Sequence, residues 1–164
     1  MCSSDLVNGH SPRMRFDLIV NTMYRSAVVD GRITVSHPDI WRPIIDVRDT
    51  AAAFALAVEA PEGLSGVFNV ARDNFTVGQV AESIQGELRR LEGLDVPIEN
   101  LNRPDPRNYR VDCSRARDVL GFNPRHDLAS TVRSLHEHRA EYGDFTDDNL
   151  YNIRVFRKMQ GGGE

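Results

Sequence analysis

The sequence predicts an α/β fold, and three observations carry that expectation. Short runs rich in β-branched and aromatic residues alternate with runs of helical period along the chain. The helical runs are bracketed by their own start and stop signals. One strand, Pro43 to Val47, runs almost directly into a nearly all-apolar helix, the pattern of a buried element with a charged group at its entrance.

Taken in order, Val7 to Met14 carry Gly, Ser and Pro at turn density and read as a loop. From about Arg15 to Val29, Phe16, Ile19, Val20, Met23 and Ala27 fall on one helical stripe, and Gly31 is placed to close the helix in a left-handed conformation. Ile33 to Val35 reads as a short strand, His37-Pro38-Asp39 as a turn and Pro43 to Val47 as a second strand. Asp49 is positioned to cap a helix from Thr50 to Ala60, stopped by Pro61 and Gly63. Gly66 to Ala71 has the content of a buried strand. Thr76-Val77-Gly78-Gln79 is a capping-box pattern. The helix it opens aligns Val77, Val80, Ala81, Ile84, Leu88 and Leu91.

Val96 to Leu101 reads as a short strand, Arg103 to Arg107 as a proline-punctuated loop and Tyr109 to Asp112 as a brief extended piece. Ser114 starts a small helix closed by Gly121 and Pro124. Asp127 caps a last amphipathic helix through Leu128, Val132, Leu135 and Tyr142. Residues 144–164 lack periodicity and are expected to form a loose tail. Met-Cys-Ser-Ser-Asp-Leu back-translates, with GTG as start codon, to the end of a widely used sequencing adapter. Residues 1–6 are therefore expected to be non-native and are set aside from fold reasoning. One partial domain over residues 7–143 is the expected organisation.

Composition excludes several classes. The formal net charge is -4 with a sequence pI of about 5.7, against a broad nucleic-acid footprint. All but one of the 20 basic side chains are arginines, the exception being Lys158. No apolar run reaches membrane-spanning length and no charged-then-apolar leader is present. Cys2 and Cys113 are too few for a disulfide framework or a zinc site. His136 and His138, two apart on a helix, do not share a face, and His10 and His37 lie in loops without acidic or cysteine companions at ligand spacing. No metal site is expected, and a reduced, cytoplasmic location is.

Five segments, in order, carry a family resemblance: the Asn8-Gly9 turn; Arg15-Phe16-Asp17 leading to Asn21; Arg42 through Asp49; Phe68-Asn69-Val70; and Arg107-Asn108-Tyr109 ahead of Leu120-Gly121-Phe122-Asn123-Pro124. Over about residues 7–138 the chain resembles the C-terminal part of extended short-chain dehydrogenases/reductases, the nucleotide-sugar epimerase/dehydratase family. The resemblance implies a substrate-binding lobe joined to the last strand and helix elements of an incomplete Rossmann-like, doubly wound fold. The Ala51 to Val58 helix face would then be left exposed.

The same resemblance implies that this part binds a nucleotide-diphosphate sugar. Guanidinium suits a diphosphate because it stays protonated and presents a planar fork of donors. By position, Arg42 and Arg107 match the family arginines beside the diphosphate, and Asn21 and Asn69 the asparagines near the ligand. Asp49 matches a family position but fits a capping role better, and Asp46 is given no role.

Two motifs of the family's chemistry are not found. Gly63-Leu-Ser-Gly66 lacks the third glycine and precedes a strand, so it is not a dinucleotide loop. No tyrosine stands four residues before Lys158, where Arg154 lies, so no catalytic pair is assigned. The expectation is thus the substrate-binding half of an NAD(P)-dependent sugar epimerase/dehydratase, inactive alone, whose parent would bind NAD or NADP and form a homodimer. The alternatives are a fragment of an NAD(P)-dependent reductase or dehydrogenase acting on a non-nucleotide substrate, and a non-catalytic sensor of the same fold.

Overall fold

A computed structural model describes residues 7–103 and 105–160; the non-native segment expected at 1–6 lies outside them. Strand β1 (Val7–Asn8) is followed by helix α1 (Ile19–Asp30), β2 (Ile33–Val35), β3 (Trp41–Asp46), α2 (Val47–Glu59), β4 (Asp73–Thr76), α3 (Val77–Glu92) and β5 (Ile98–Asn100). Helices α4 (Ser114–Leu120), α5 (Leu128–Glu137) and α6 (Asn152–Gln160) complete the order, with 3-10 turns at Arg139–Tyr142 and Asp148–Leu150.

β3 is the middle strand of a three-stranded sheet. β1 pairs with it in parallel, Val7 opposite Ile45, and β4 antiparallel, Trp41 opposite Thr76. β2 and β5 form a separate parallel pair. The main core lies where α1, α3 and α5 meet β2. Val20, Tyr24, Ile33, Val80, Ala81, Ile84, Leu88, Val132 and Leu135 are sealed there from solvent. The α3 stripe read from sequence is this core face, and its start is the expected capping box. The Thr76 hydroxyl accepts from Gln79 N at 3.1 Å, and the Gln79 amide oxygen accepts from Thr76 N at 2.8 Å. α1, α3 and α4 end, as expected or by the same rule, on glycines at positive φ: Gly31, Gly93 and Gly121.

Several local expectations need correction. Val7–Asn8, read as loop, pairs with β3, a two-residue strand being too short to show periodicity. Asp46, not Asp49, caps α2: β3 passes into the helix with no intervening loop, and the Asp46 carboxylate accepts from Arg48 N at 2.8 Å. Asp49 instead lies buried in the first turn, accepting from Arg125 N, His126 N and His126 Nδ1, each at 2.9 Å. It ties α2 to the segment ahead of α5.

Gly66 to Ala71 is irregular rather than a buried strand. Val67 is 77% exposed, and strand pairing begins only at Asp73. The Ala51 to Val58 face of α2 is exposed as the resemblance implies, Phe54 at 69% and Val58 at 85%.

Residues 144–160 are not a featureless tail. Phe145 is buried edge-on against Phe16, with ring centroids 4.9 Å apart, and Phe16 N donates to Leu150 O at 2.8 Å. The order comes from contacts distant in sequence, which periodicity does not register. α6 follows but buries no residue. Among the described residues, no helix is long and apolar enough to cross a membrane.

Asp46 is the joint of this architecture. Besides capping α2 it accepts from the Thr131 hydroxyl of α5 at 2.7 Å and from Arg48 Nε and Nη2 at 2.8 Å each. Burial pushes its pKa up, but the bonds from Arg48 and Thr131 outweigh burial and hold it below the ordinary value. Its stabilising contribution is therefore complete above the ordinary carboxylate pKa and is lost as pH falls through the lowered one. Asp46→Ala should cost about 2–4 kcal/mol in urea unfolding at neutral pH, more than the ~1 kcal/mol of a cap alone, because the Thr131 hydroxyl also loses its shortest acceptor. Wild type and variant should converge in acid. A loss below about 0.5 kcal/mol, typical of a surface change, would contradict this role.

Candidate functional site

Arg42 sits near the start of β3 with its side chain almost wholly buried, an arrangement that demands partners for its charge. Nη1 donates to Trp41 O at 2.8 Å and to Arg107 O, and Nη2 to the Asp105 carboxylate at 2.9 Å. The Tyr109 ring lies 5.7 Å from the guanidinium carbon. The proline-punctuated loop is fastened to β3 at two further points. Trp41 N donates to Asn108 Oδ1 at 2.9 Å, and Tyr109 N to Trp41 O at 3.4 Å.

Asp105 is the centre of this cluster, and sequence reading passed over it. One of its oxygens accepts from Arg107 N and Arg107 Nε, each at 3.0 Å, and the other from Arg107 Nη2 at 3.1 Å and from Arg42. The Arg107 side chain lowers the Asp105 pKa most. Partial burial opposes it, and the Arg107 N–H and the two arginine charges add to the lowering, leaving the pKa at about 2. An aspartate two residues before an arginine in a turn was the available signal. It lacked weight because such Asx turns are common on surfaces.

Arg42, Asp105 and Arg107 line one cavity of about 550 Å³, together with Arg15, Asp17 and Phe156. Arg15 and Asp17 form a two-pronged pair at 3.1 Å. Three arginines against two aspartates leave that wall with a positive excess. Arg42 and Arg107 thus line the same cavity.

The two asparagines do not join them. Asn21 is buried in α1, its Oδ1 accepting from Gly9 N at 2.9 Å and its Nδ2 donating to Arg15 O at 2.9 Å and Gly9 O at 3.4 Å. The amide is occupied by the backbone it clamps, and it borders a separate cavity of about 310 Å³. Gly9 needs this clamp: its φ is +110°, and a Cβ there would sit 3.2 Å from Asp46 Oδ2. Asn69 is exposed and donates to Asp112 O at 3.2 Å, holding two irregular segments together. Asn74 does similar work, its amide bonding both Val111 N and Val111 O at 2.9 and 3.0 Å. In that way it serves the brief extended piece at 109–112 in place of a strand partner. His10, read as lacking acidic companions, is brought beside His138 and Glu141 by the fold, a proximity that sequence spacing could not show.

The glycines Gly63 and Gly66 lie in irregular chain between α2 and β4, not at a helix entrance. A Cβ on Gly66 would meet the Arg115 guanidinium, so the close approach there is already taken by a side chain. These two glycines do not form a dinucleotide cradle.

No family model matches the chain. It is 28% identical over 138 residues to UDP-glucuronic acid decarboxylase 6 of Arabidopsis thaliana, covering 80% of this chain and 38% of that protein. It is 30% identical over 103 residues to UDP-glucose 4-epimerase of Rhizobium leguminosarum bv. trifolii, covering 61% of this chain and 31% of that protein. The chain thus spans well under half the length of these curated relatives. Among solved structures, UDP-glucuronic acid 4-epimerase from Bacillus cereus, in complex with NAD, superposes with a TM-score of 0.65 at 19% identity. That match covers 83% of this chain and 42% of the other. RMD from Pseudomonas aeruginosa, complexed with NADPH, gives 0.64 at 17% identity, covering 80% and 45%.

The cluster is checked through Asp105. Its folded pKa lies below the ordinary 3.8, so its contribution to stability is present above that value and is lost as pH falls through about 2. An NMR titration of the Asp105 carboxyl carbon should show a midpoint near 2. A midpoint at the ordinary carboxylate value would contradict the clustering of Arg42 and Arg107 on Asp105.

Proposed function

We propose that this chain, whose relatives include a UDP-glucose 4-epimerase and a UDP-glucuronic acid decarboxylase and whose superposing structures include epimerases in complex with NAD, is the nucleotide-sugar-binding half of an NAD(P)-dependent sugar epimerase or dehydratase of the extended short-chain dehydrogenase/reductase fold. The observation that carries the reading is the convergence of Arg42 and Arg107 on one cavity. Several of the superposing proteins are complexed with UDP-sugars, for example the Bacillus cereus epimerase with UDP-glucuronic acid, which supports a ligand of that class here.

The chemistry of this part is binding and orientation. A diphosphate brings two or more negative charges, and a guanidinium fork can meet phosphate oxygens in the bidentate geometry that Arg107 now offers Asp105, with Arg42 adding one bond through Nη2. Arg42 is held through Nη1 by the carbonyls of Trp41 and Arg107, so its charge is positioned before a ligand arrives, and less ordering is required on binding. Asp105 keeps the pair close together despite their repulsion and fills the anionic position that a phosphate would share. At about 550 Å³ the cavity is within the usual range for small-ligand sites. The hydride carrier and the proton-transfer groups belong, on this reading, to other parts of the parent enzyme, so the chain by itself binds sugar nucleotide without turning it over.

Titration of UDP-glucose into the 164-residue chain, followed by calorimetry, tests this. Arg42→Ala should weaken binding about 10- to 100-fold, the worth of hydrogen bonds to a charged group, and Arg107→Ala about tenfold. Arg42→Lys, which keeps the charge but not the fork, should recover only part of the loss. Asn69→Ala should leave affinity unchanged. Equal affinity in wild type and in both arginine-to-alanine variants, all folded by circular dichroism, would overturn the reading.

A further inference from the structure

His10, His138 and Glu141 are brought together from two ends of the fold. His10 follows Gly9, whose N–H and C=O are both held by the Asn21 amide, so the start of the loop after β1 has a fixed position. His138 closes α5 and opens the 3-10 turn Arg139–Tyr142, in which Glu141 N donates to His138 O at 2.9 Å. Residues three apart eclipse in a 3-10 turn, which places Glu141 on the same side as His138. The two imidazoles stack with centroids 3.7 Å apart and planes 9° from parallel. One nitrogen from each ring and one Glu141 oxygen all lie within 4.8 Å of one another.

We propose that these three side chains form a binding site for a divalent ion of the zinc class. The donor set is that of a three-ligand zinc centre, two imidazoles and a carboxylate, with a fourth position for water. The bond from His138 to Ser134 leaves Nε2 of that ring free for a ligand, and on His10 it is Nε2 that faces Glu141. His138 Nδ1 lies 2.8 Å from Ser134 O, which can only accept, so the proton is on Nδ1 and Nε2 carries a lone pair. His10 Nδ1 is 2.9 Å from the buried Tyr142 hydroxyl, which can accept in the same way, and His10 Nε2 lies 3.8 Å from Glu141. Oxygen partners on the remote nitrogens are what fix metal-binding histidines in orientation.

Coordination requires the stack to splay and the carboxylate to swing inward. Ligand bonds of 2.0–2.2 Å put tetrahedral donors about 3.3 Å apart. Glu141 has the freedom to do so, its side chain being 61% exposed. Two nitrogen donors disfavour magnesium and calcium, which take oxygen ligands. None of the three residues lines the arginine cavity, so the site stands independently of nucleotide-sugar binding. A bound ion would fasten the loop after β1 to the end of α5.

The test is titration of the chelator-stripped 164-residue chain with zinc chloride against a chromophoric competitor, and with cobalt chloride followed by its visible absorption. One ion per chain is expected, with micromolar or tighter affinity, a raised Tm and no response to magnesium. His10→Ala and His138→Ala should each weaken zinc binding at least about tenfold, and Glu141→Gln less, while His37→Ala should change nothing. His138→Gln, which keeps the length and polarity of the side chain, guards against misfolding and should also lose zinc. Absence of saturable zinc binding in the micromolar range would overturn the proposal. So would binding unaffected by His10→Ala and His138→Ala in folded protein.

Discussion

β3 buries a cation near one end and an anion at the other, and the rest of the molecule is arranged around keeping both paired. A buried charge without partners is costly enough to unfold a small domain. Arg42 and Asp46 stand four residues apart on one face of this strand, each almost wholly enclosed. Asp46 gathers α2, the Thr131 position of α5 and Arg48. Arg42 gathers the 105–109 loop, drawing Asp105 and the Arg107 backbone to the strand. One end therefore builds the scaffold and the other builds the cavity. A shift of β3 by one residue would move both charges to the opposite face and undo the two together.

That division explains which parts were legible in sequence. α3 was readable because its cap, its stripe and its closing glycine all point to one structure, each through local rules. The Arg42 to Asp49 block was readable as strand then helix, but its joint was placed three residues late. The rule used, a cap just before the first apolar periodicity, assumes a connecting residue that this chain omits. Val7–Asn8 and Asp73–Thr76 escaped because short strands beside a central one need no alternation of their own. Gly66 to Ala71 misled in the opposite sense, since its composition is that of a buried strand while its surroundings here supply no ladder.

At the site, residue type predicted better than residue role. The expectation that Arg42 and Arg107 meet came from their positions in the family resemblance, while a buried arginine by itself says only that its charge must find partners. The asparagines carry no such constraint. An amide that donates and accepts serves a backbone clamp as readily as a ligand, and Asn21 and Asn69 are both spent on backbone. Asp105 was invisible for a related reason: its role comes from two arginines far apart in sequence meeting on it. The histidine cluster has the same origin, joining a loop near the start of the chain to a turn near its end.

On the proposed reading the two guanidinium groups of this cavity form a single anionic-ligand clamp. It is tested most directly by following arginine Nε–H resonances by NMR while UDP-glucose is added to the unmodified protein. The Arg42 and Arg107 signals should move together and saturate with one dissociation constant, with backbone shifts centred on residues 105–109. Shifts confined to the Asn21 cavity, or arginine signals that do not move while the ligand binds elsewhere, would contradict the account.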